Sequence, residues 1–200
     1  VTSPLTLPHR VYPDSVLWRV LPLGVVLEGE DEPFRTAGRP KTCRRIVDAW
    51  RSELDAASGE FAVPLELLIM TAATEGRGAW LAVRTEPGYV SPEETPHLIS
   101  AGLCQTLLST AREVLGWPSL PLRQLQVPEV SLRAAAAYIS RARDETYLDP
   151  VIVAADYNAG RVRHAPHEGN RWRLHCWRPE DGEHLERAAR WYGDACAVCR

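Results

Sequence analysis

One carboxylate in this chain stands where a proton donor needs to be. Glu75 closes an apolar stretch, VPLELLIMTAAT at 63–74, and is followed by Gly76, Arg77 and Gly78. Apolar neighbours disfavour the charged form of a carboxyl group and raise its pKa, as a general acid working near neutral pH requires. Glycosidic cleavage is one reaction that needs such a donor on the leaving oxygen. The commoner case is a glutamate that merely decorates a helix end, where its charge meets the unfavourable end of the dipole. The other chemistry-bearing groups are weaker. Cys196 and Cys199 form a C-x-x-C that, with Cys176 and His175 or His184, can be drawn as a zinc site. A second close-spaced ligand pair is missing, so no metal is expected and the cysteines read as thiols on a terminal helix. His164 and His167 read as polar loop residues.

The elements that must position Glu75 have clear punctuation. Residues 1–40 are rich in proline and glycine, and 16–27 read as extended. Thr42 is placed to cap a helix reaching about Ala57, with Ile46, Trp50 and Leu54 on one face and Ser58-Gly59 closing it. Pro64 suits the first turn of a second, mostly buried helix that stops at Gly76. Residues 79–100 carry turn and strand chemistry. A third helix is predicted from about Gly102 to Gly116, and a fourth capped by Ser131 with a four-alanine run for close helix approach. Asp149-Pro150 starts a short fifth that Gly160 ends, and a last one spans about Gly182 to Val198. The fold class is mainly α (α+β), a helical core with a small β-region after the helix that carries Glu75. Residues 1–60 form an N-terminal extended segment and first helix, expected to pack on the same domain as 61–200.

Composition excludes some functions without naming one. Two hundred residues suffice for one well-buried domain, and 45% hydrophobic with 24% charged residues is ordinary for a globular protein. A net charge of −3 argues against nucleic acid as a partner. Five scattered cysteines are too few for a disulfide scaffold. The opening VTSPLTLPHR has no basic region followed by an apolar one, so no signal peptide is visible. The apolar run at 16–27 is interrupted by Arg19 and Pro22 and is too short to span a bilayer. No phosphate-cradling glycine loop or nucleophile elbow is present.

Four segments, in order, bring the chemistry into focus. SAGLCQTLLSTA at 100–111 resembles the lytic transglycosylase pattern S-x-G-L-M-Q-x-x-P-S-T-A, and AADYNAG at 154–160 resembles that family's A-x-A-Y-N-A-G. Between them, SLRAAAAYI at 131–139 is similar to the N-I-x-A-G-x-x-Y-L helix. Upstream, VPLELL followed by Thr74-Glu75 is similar to the V-P-x-x-L-L…E-S segment that carries the family's acid. The resemblance covers about residues 62–162. It is weaker, and towards phage- or prophage-encoded members, over NRWR and GEHLERAARWY; residues 1–60 carry none. It implies a lysozyme-like fold with a saccharide cleft, and cleavage of the β-1,4 MurNAc–GlcNAc bond of peptidoglycan without a cofactor. Glu75 would be the acid/base, Ser100 and Gln105 would lie in the cleft, and Tyr157 with Asn158 would orient Glu75 and the sugar. The substrate's N-acetyl group would assist, leaving a 1,6-anhydro-muramyl end.

Departures from the pattern are specific. Gly76 replaces the serine beside the acid, Cys104 the methionine, Leu108 the proline, and Asp156 a small apolar residue before Tyr157. Asp156 either faces the cleft or pairs with an arginine such as Arg161. Glu86, Glu93 and Glu94 offer a second carboxylate for a hydrolytic, lysozyme-type reaction, as goose-type lysozymes place aspartates in this region. A solvated EETP turn is the favoured reading. Trp80, Trp117, Trp172 and Trp177 lie near expected cleft loops, where rings can stack on sugars, although for each one a place in the core is the commoner case. A non-catalytic wall-binding module and a virion or secretion-apparatus component are the competing classes. The site of action is expected in the periplasm or cell wall, with delivery by phage, holin or secretion machinery.

Overall fold

The computed structural model describes residues 4–178, 180 and 182–200, so the first three residues of the N-terminal stretch read above lie outside the described ones. In chain order run β1 (Trp18–Leu21), β2 (Gly24–Leu27), α1 (Lys41–Phe61), α2 (Leu65–Gly76), β3 (Val83–Thr85), β4 (Ile99–Ala101) and β5 (Thr106–Leu107). Then come α3 (Leu108–Val114), α4 (Leu122–Leu125), α5 (Pro128–Arg141), α6 (Arg143–Thr146), α7 (Pro150–Ala159) and α8 (Glu183–Val198). They divide into two units, Lys41–Arg141 and a second made of Val1–Pro40 with Ala142–Arg200. No helix of the described residues is long and apolar enough to cross a membrane.

The Lys41–Arg141 unit is built around α2. Residues 67–74 are all buried, so this helix has no solvent face, as expected of an element with apolar residues all round. α1 and α5 pack beside it. α1 buries Cys43, Ile46, Val47, Leu54 and Ala57 and leaves helical geometry at Trp50. It runs past Ser58-Gly59, where a stop was expected, because the reversal is made by Ala62 at φ 52°. The Ser58 hydroxyl and carbonyl meanwhile bind the Val63 carbonyl and N–H.

α5 begins at Pro128, not at a Ser131 cap. Proline presets the first-turn φ and has no N–H to leave unsatisfied. Ser131 is instead buried within the helix, beside the buried alanines at 134–137. The helix expected from Gly102 also starts later. Gly102 at φ 81° and Gln105 at φ 50° are left-handed, so 102–105 form a turn, and β5 precedes α3. β3, β4 and β5 make an antiparallel sheet in that order, with Val83 opposite Ala101 and Ser100 opposite Leu107. Ile99, Ala101, Leu108, Ala111, Leu120, Leu125 and Ala134 pack together beneath it.

The second unit is held by the β1–β2 hairpin, which pairs Trp18 with Leu27, and by α7 and α8. Trp18 and Trp172 meet edge to face at 5.3 Å, both fully buried. Asp149 caps α7 as its Asp-Pro sequence suggests: one carboxylate oxygen accepts the N–H groups of Val151 (2.8 Å) and Ile152 (3.1 Å). The other accepts Trp18 Nε1 and His9 Nε2, each at 2.9 Å.

Candidate active site

Glu75 occupies the last turn of α2, half-buried above the fully buried run 67–74. Its helix ends in a left-handed Arg77, φ 50°, whose N–H returns to the Ala73 carbonyl. Arg45 of α1 donates to the Arg77 carbonyl at 2.9 Å, and Gly78 lies against Ile46. The end of α2 is therefore fastened to α1. The glycine after the acid has a second cause: a Cβ at Gly76 would collide with the carbonyl oxygen of Leu103. The serine of the family pattern has no room here, and Gly76 marks a close approach between α2 and the 102–105 turn.

That turn is held by several hydrogen bonds. Gln105 donates both amide hydrogens inward, to the carbonyls of Ala82 (3.0 Å) and Gly102 (2.9 Å). Its Oε1 accepts the hydroxyl of buried Ser100 at 3.2 Å. Ser131 Oγ accepts the Cys104 N–H at 3.1 Å, and a Cβ at Gly102 would collide with the Leu125 carbonyl. Cys104 is fully buried, and its thiol is pushed up to about 12. Burial is the main cause, a hydrogen bond with Ser131 opposes it, and the charge of Glu75 adds to it. Glu75 thus lies within electrostatic reach of the turn. The structure brings Ser100, Gln105 and this end of α2 together in one unit.

The acidic loop is arranged otherwise. Glu93 and Glu94 are exposed, and Glu94 is tied to Ser91, whose Oγ accepts its N–H at 3.1 Å. Glu86 is half-buried and pairs with Arg84 at 3.2 Å. Arg112 of α3 holds the same loop by donating to the Pro92 carbonyl at 3.1 Å.

Tyr157 and Asn158 belong to the other unit, at the C-terminal end of α7, both half-buried. Asn158 Oδ1 accepts the backbone N–H of Trp177 at 2.7 Å, a tether that the sequence did not reveal. Asp156 is buried within α7, while Arg161 beyond it is exposed.

The tryptophans divide. Trp80, Trp117 and Trp177 are exposed, Trp177 by 67%, whereas Trp172 is fully buried against Trp18 and Phe34 and has no face to offer a sugar. Trp50, at the break in α1, meets Trp80 edge to face at 6.2 Å. A shallow surface hollow of about 440 Å³ is lined by Ser52, Glu53, Ala56, Glu60, Glu129 and Arg133, and the Arg133–Glu60 pair (2.7 Å) sits in it. It does not include Glu75. Among the described residues, no group of three or more His, Cys, Asp or Glu side chains is placed to hold a metal ion.

Comparison with known proteins gives the fold. No protein-family model and no curated protein matches the chain. Among solved structures it is similar to an inactive glutamate-to-glutamine mutant of the lytic transglycosylase Slt from Pseudomonas aeruginosa, with a TM-score of 0.54 and 22% identity. The match covers 76% of this chain and 24% of that one, so this chain spans about a quarter of its neighbour's length. The fold is the lysozyme-like α+β arrangement expected from the motifs, mainly helical with small sheets.

Proposed function

We propose that this chain cleaves the β-1,4 bond between MurNAc and GlcNAc in bacterial peptidoglycan, with Glu75 as general acid and then base. The observation that carries the reading is Glu75 itself, a half-buried carboxyl directly after the buried run 67–74, backed by the 102–105 turn. The likeness to a lytic transglycosylase supports it, as does that neighbour's inactivation by a glutamate-to-glutamine change. Glu75 protonates the glycosidic oxygen while the substrate's N-acetyl group attacks the anomeric carbon. The carboxylate left behind then takes the proton of the C6 hydroxyl, whose oxygen attacks that carbon, breaks its bond to the N-acetyl oxygen and closes a 1,6-anhydro-MurNAc end with the acetamide restored.

The acidic loop favours this one-carboxylate route over a hydrolytic one. Glu93 and Glu94 are solvated and Glu86 is paired with Arg84, so none is held as a base ready to activate water. The test is digestion of purified peptidoglycan by wild type and Glu75→Gln, with products read by mass spectrometry. Products lighter by one water, made only by wild type, are expected. Hydrated ends would move the chemistry to Glu86, Glu93 or Glu94, and intact glycan with binding retained would make the chain a wall-binding module.

A further inference from the structure

We propose that Gln105 is a positioning residue for Glu75, acting through the 102–105 turn, and does not serve as a hydrogen-bond donor to the substrate. The proposal rests on the reading of Glu75 as the acid. An amide side chain has two N–H donors, and both of these are spent inside the protein, on the Ala82 and Gly102 carbonyls. The acceptor side is engaged as well, by the Ser100 hydroxyl. Gln105 also sits at φ 50°, a conformation that costs a non-glycine residue energy and persists only where surrounding bonds compel it. Its side chain ties the backbone of the segment entering β3 and of the turn itself to the Ser100 side chain of β4.

The braced turn is pressed against the acid's own helix. The Leu103 carbonyl fills the space a side chain at Gly76 would need, so movement of the turn and movement of the residue beside Glu75 are linked by contact. Ser131 of α5 holds the far side of the turn through the Cys104 N–H, and the Leu125 carbonyl closes on Gly102. Gly76 and Gln105 thus form one device: glycine lets the turn approach, and glutamine keeps it there. Misplacing a reacting group by about 1 Å costs on the order of a hundredfold in rate, which sets the scale of the expected effect.

The experiment compares wild type with Gln105→Ala and Gln105→Glu in three measurements, after thermal melts show which variants fold. Turnover of purified peptidoglycan is expected to fall about a hundredfold in both Gln105 variants, because ionised glutamate cannot donate to the two carbonyls. Co-sedimentation with peptidoglycan, in a Glu75→Gln background, is expected to stay within about twofold of the parent. The titration midpoint of the Glu75 carboxyl, followed by carbon NMR, is expected to move by about half a pH unit or more in Gln105→Ala. Loss of binding with an unmoved midpoint would make Gln105 a substrate ligand and overturn the proposal; so would a folded Gln105→Ala with full activity. A wild type that releases nothing would overturn Glu75 as the acid instead, and the midpoint would still decide whether the turn positions it.

Discussion

Asp149 gathers two amides of α7, the Trp18 indole and the His9 ring onto one fully buried carboxyl group. Removing such a group strands every donor it served, and each buried orphan costs about 1–3 kcal/mol. Asp149→Ala is therefore expected to lose about 3–5 kcal/mol in urea unfolding. Asp149→Asn, which keeps one acceptor oxygen, should lose less. The Asp-Pro pair was readable as a cap because capping is local; Trp18 and His9 were not, since they arrive from far along the chain. The same division runs through the candidate site. Glu75, Ser100, Gln105, Tyr157 and Asn158 stand out by motif, but what Gln105 and Asn158 bond to is set by distant backbone. Trp172 was open to either reading from its loop, a core ring or a sugar platform, and the packing of Trp18 and Phe34 against it places it in the core.

Elements were legible where their ends carry their own chemistry. α7 runs from the Asp149 cap to left-handed Gly160, and α8 begins after left-handed Gly182, as their punctuation predicts. Legibility failed where a neighbour overrides the local signal. The stretch after Gly102 is apolar enough for a helix, yet pairing with β4 and bracing by Gln105 hold it as turn and strand. α8 offers a test of such an override. Gly193 is buried inside it, a position that normally weakens a helix. The Phe34 carbonyl lies where a Cβ would stand, and Gly24 of β2 backs onto the same spot. Gly193→Ala would gain intrinsic helix propensity but force the hairpin side away. The collision is expected to win, lowering stability by about 1–3 kcal/mol in chemical unfolding, and a stabilised variant would refute the packing argument.

Across the molecule, two histidines set opposite limits on the pH range of stability. His184 has its pKa lowered to about 4, by burial first and then by the charge of Arg187, with a hydrogen bond to Ala154 opposing. Its contribution is present above the unfolded value of about 6.5 and is lost as pH falls from there towards 4, up to about 3 kcal/mol. For His9, burial acts to lower the pKa, but hydrogen bonds to Asp149 and the Leu7 carbonyl, helped by the Asp149 charge, leave it raised. Both ring nitrogens face acceptors, which favours the doubly protonated ring. That contribution is present below about pH 6.5 and is lost as pH rises through the raised folded value. Urea unfolding across pH 4–9 is expected to show stability falling on the acid side, with His9→Gln removing the decline on the alkaline side. A decline that survives His9→Gln would assign it to another group.

The division into a continuous segment, Lys41–Arg141, and a unit assembled from both flanks has a consequence for biosynthesis. As the nascent chain leaves the ribosome, the segment that carries Glu75 and its bracing turn is complete before α7 and α8 have been translated. The β1–β2 hairpin, made first, must wait for α8 to cover it. Its strand residues Val25, Val26 and Leu27, buried in the finished fold, are uncovered apolar surface until then.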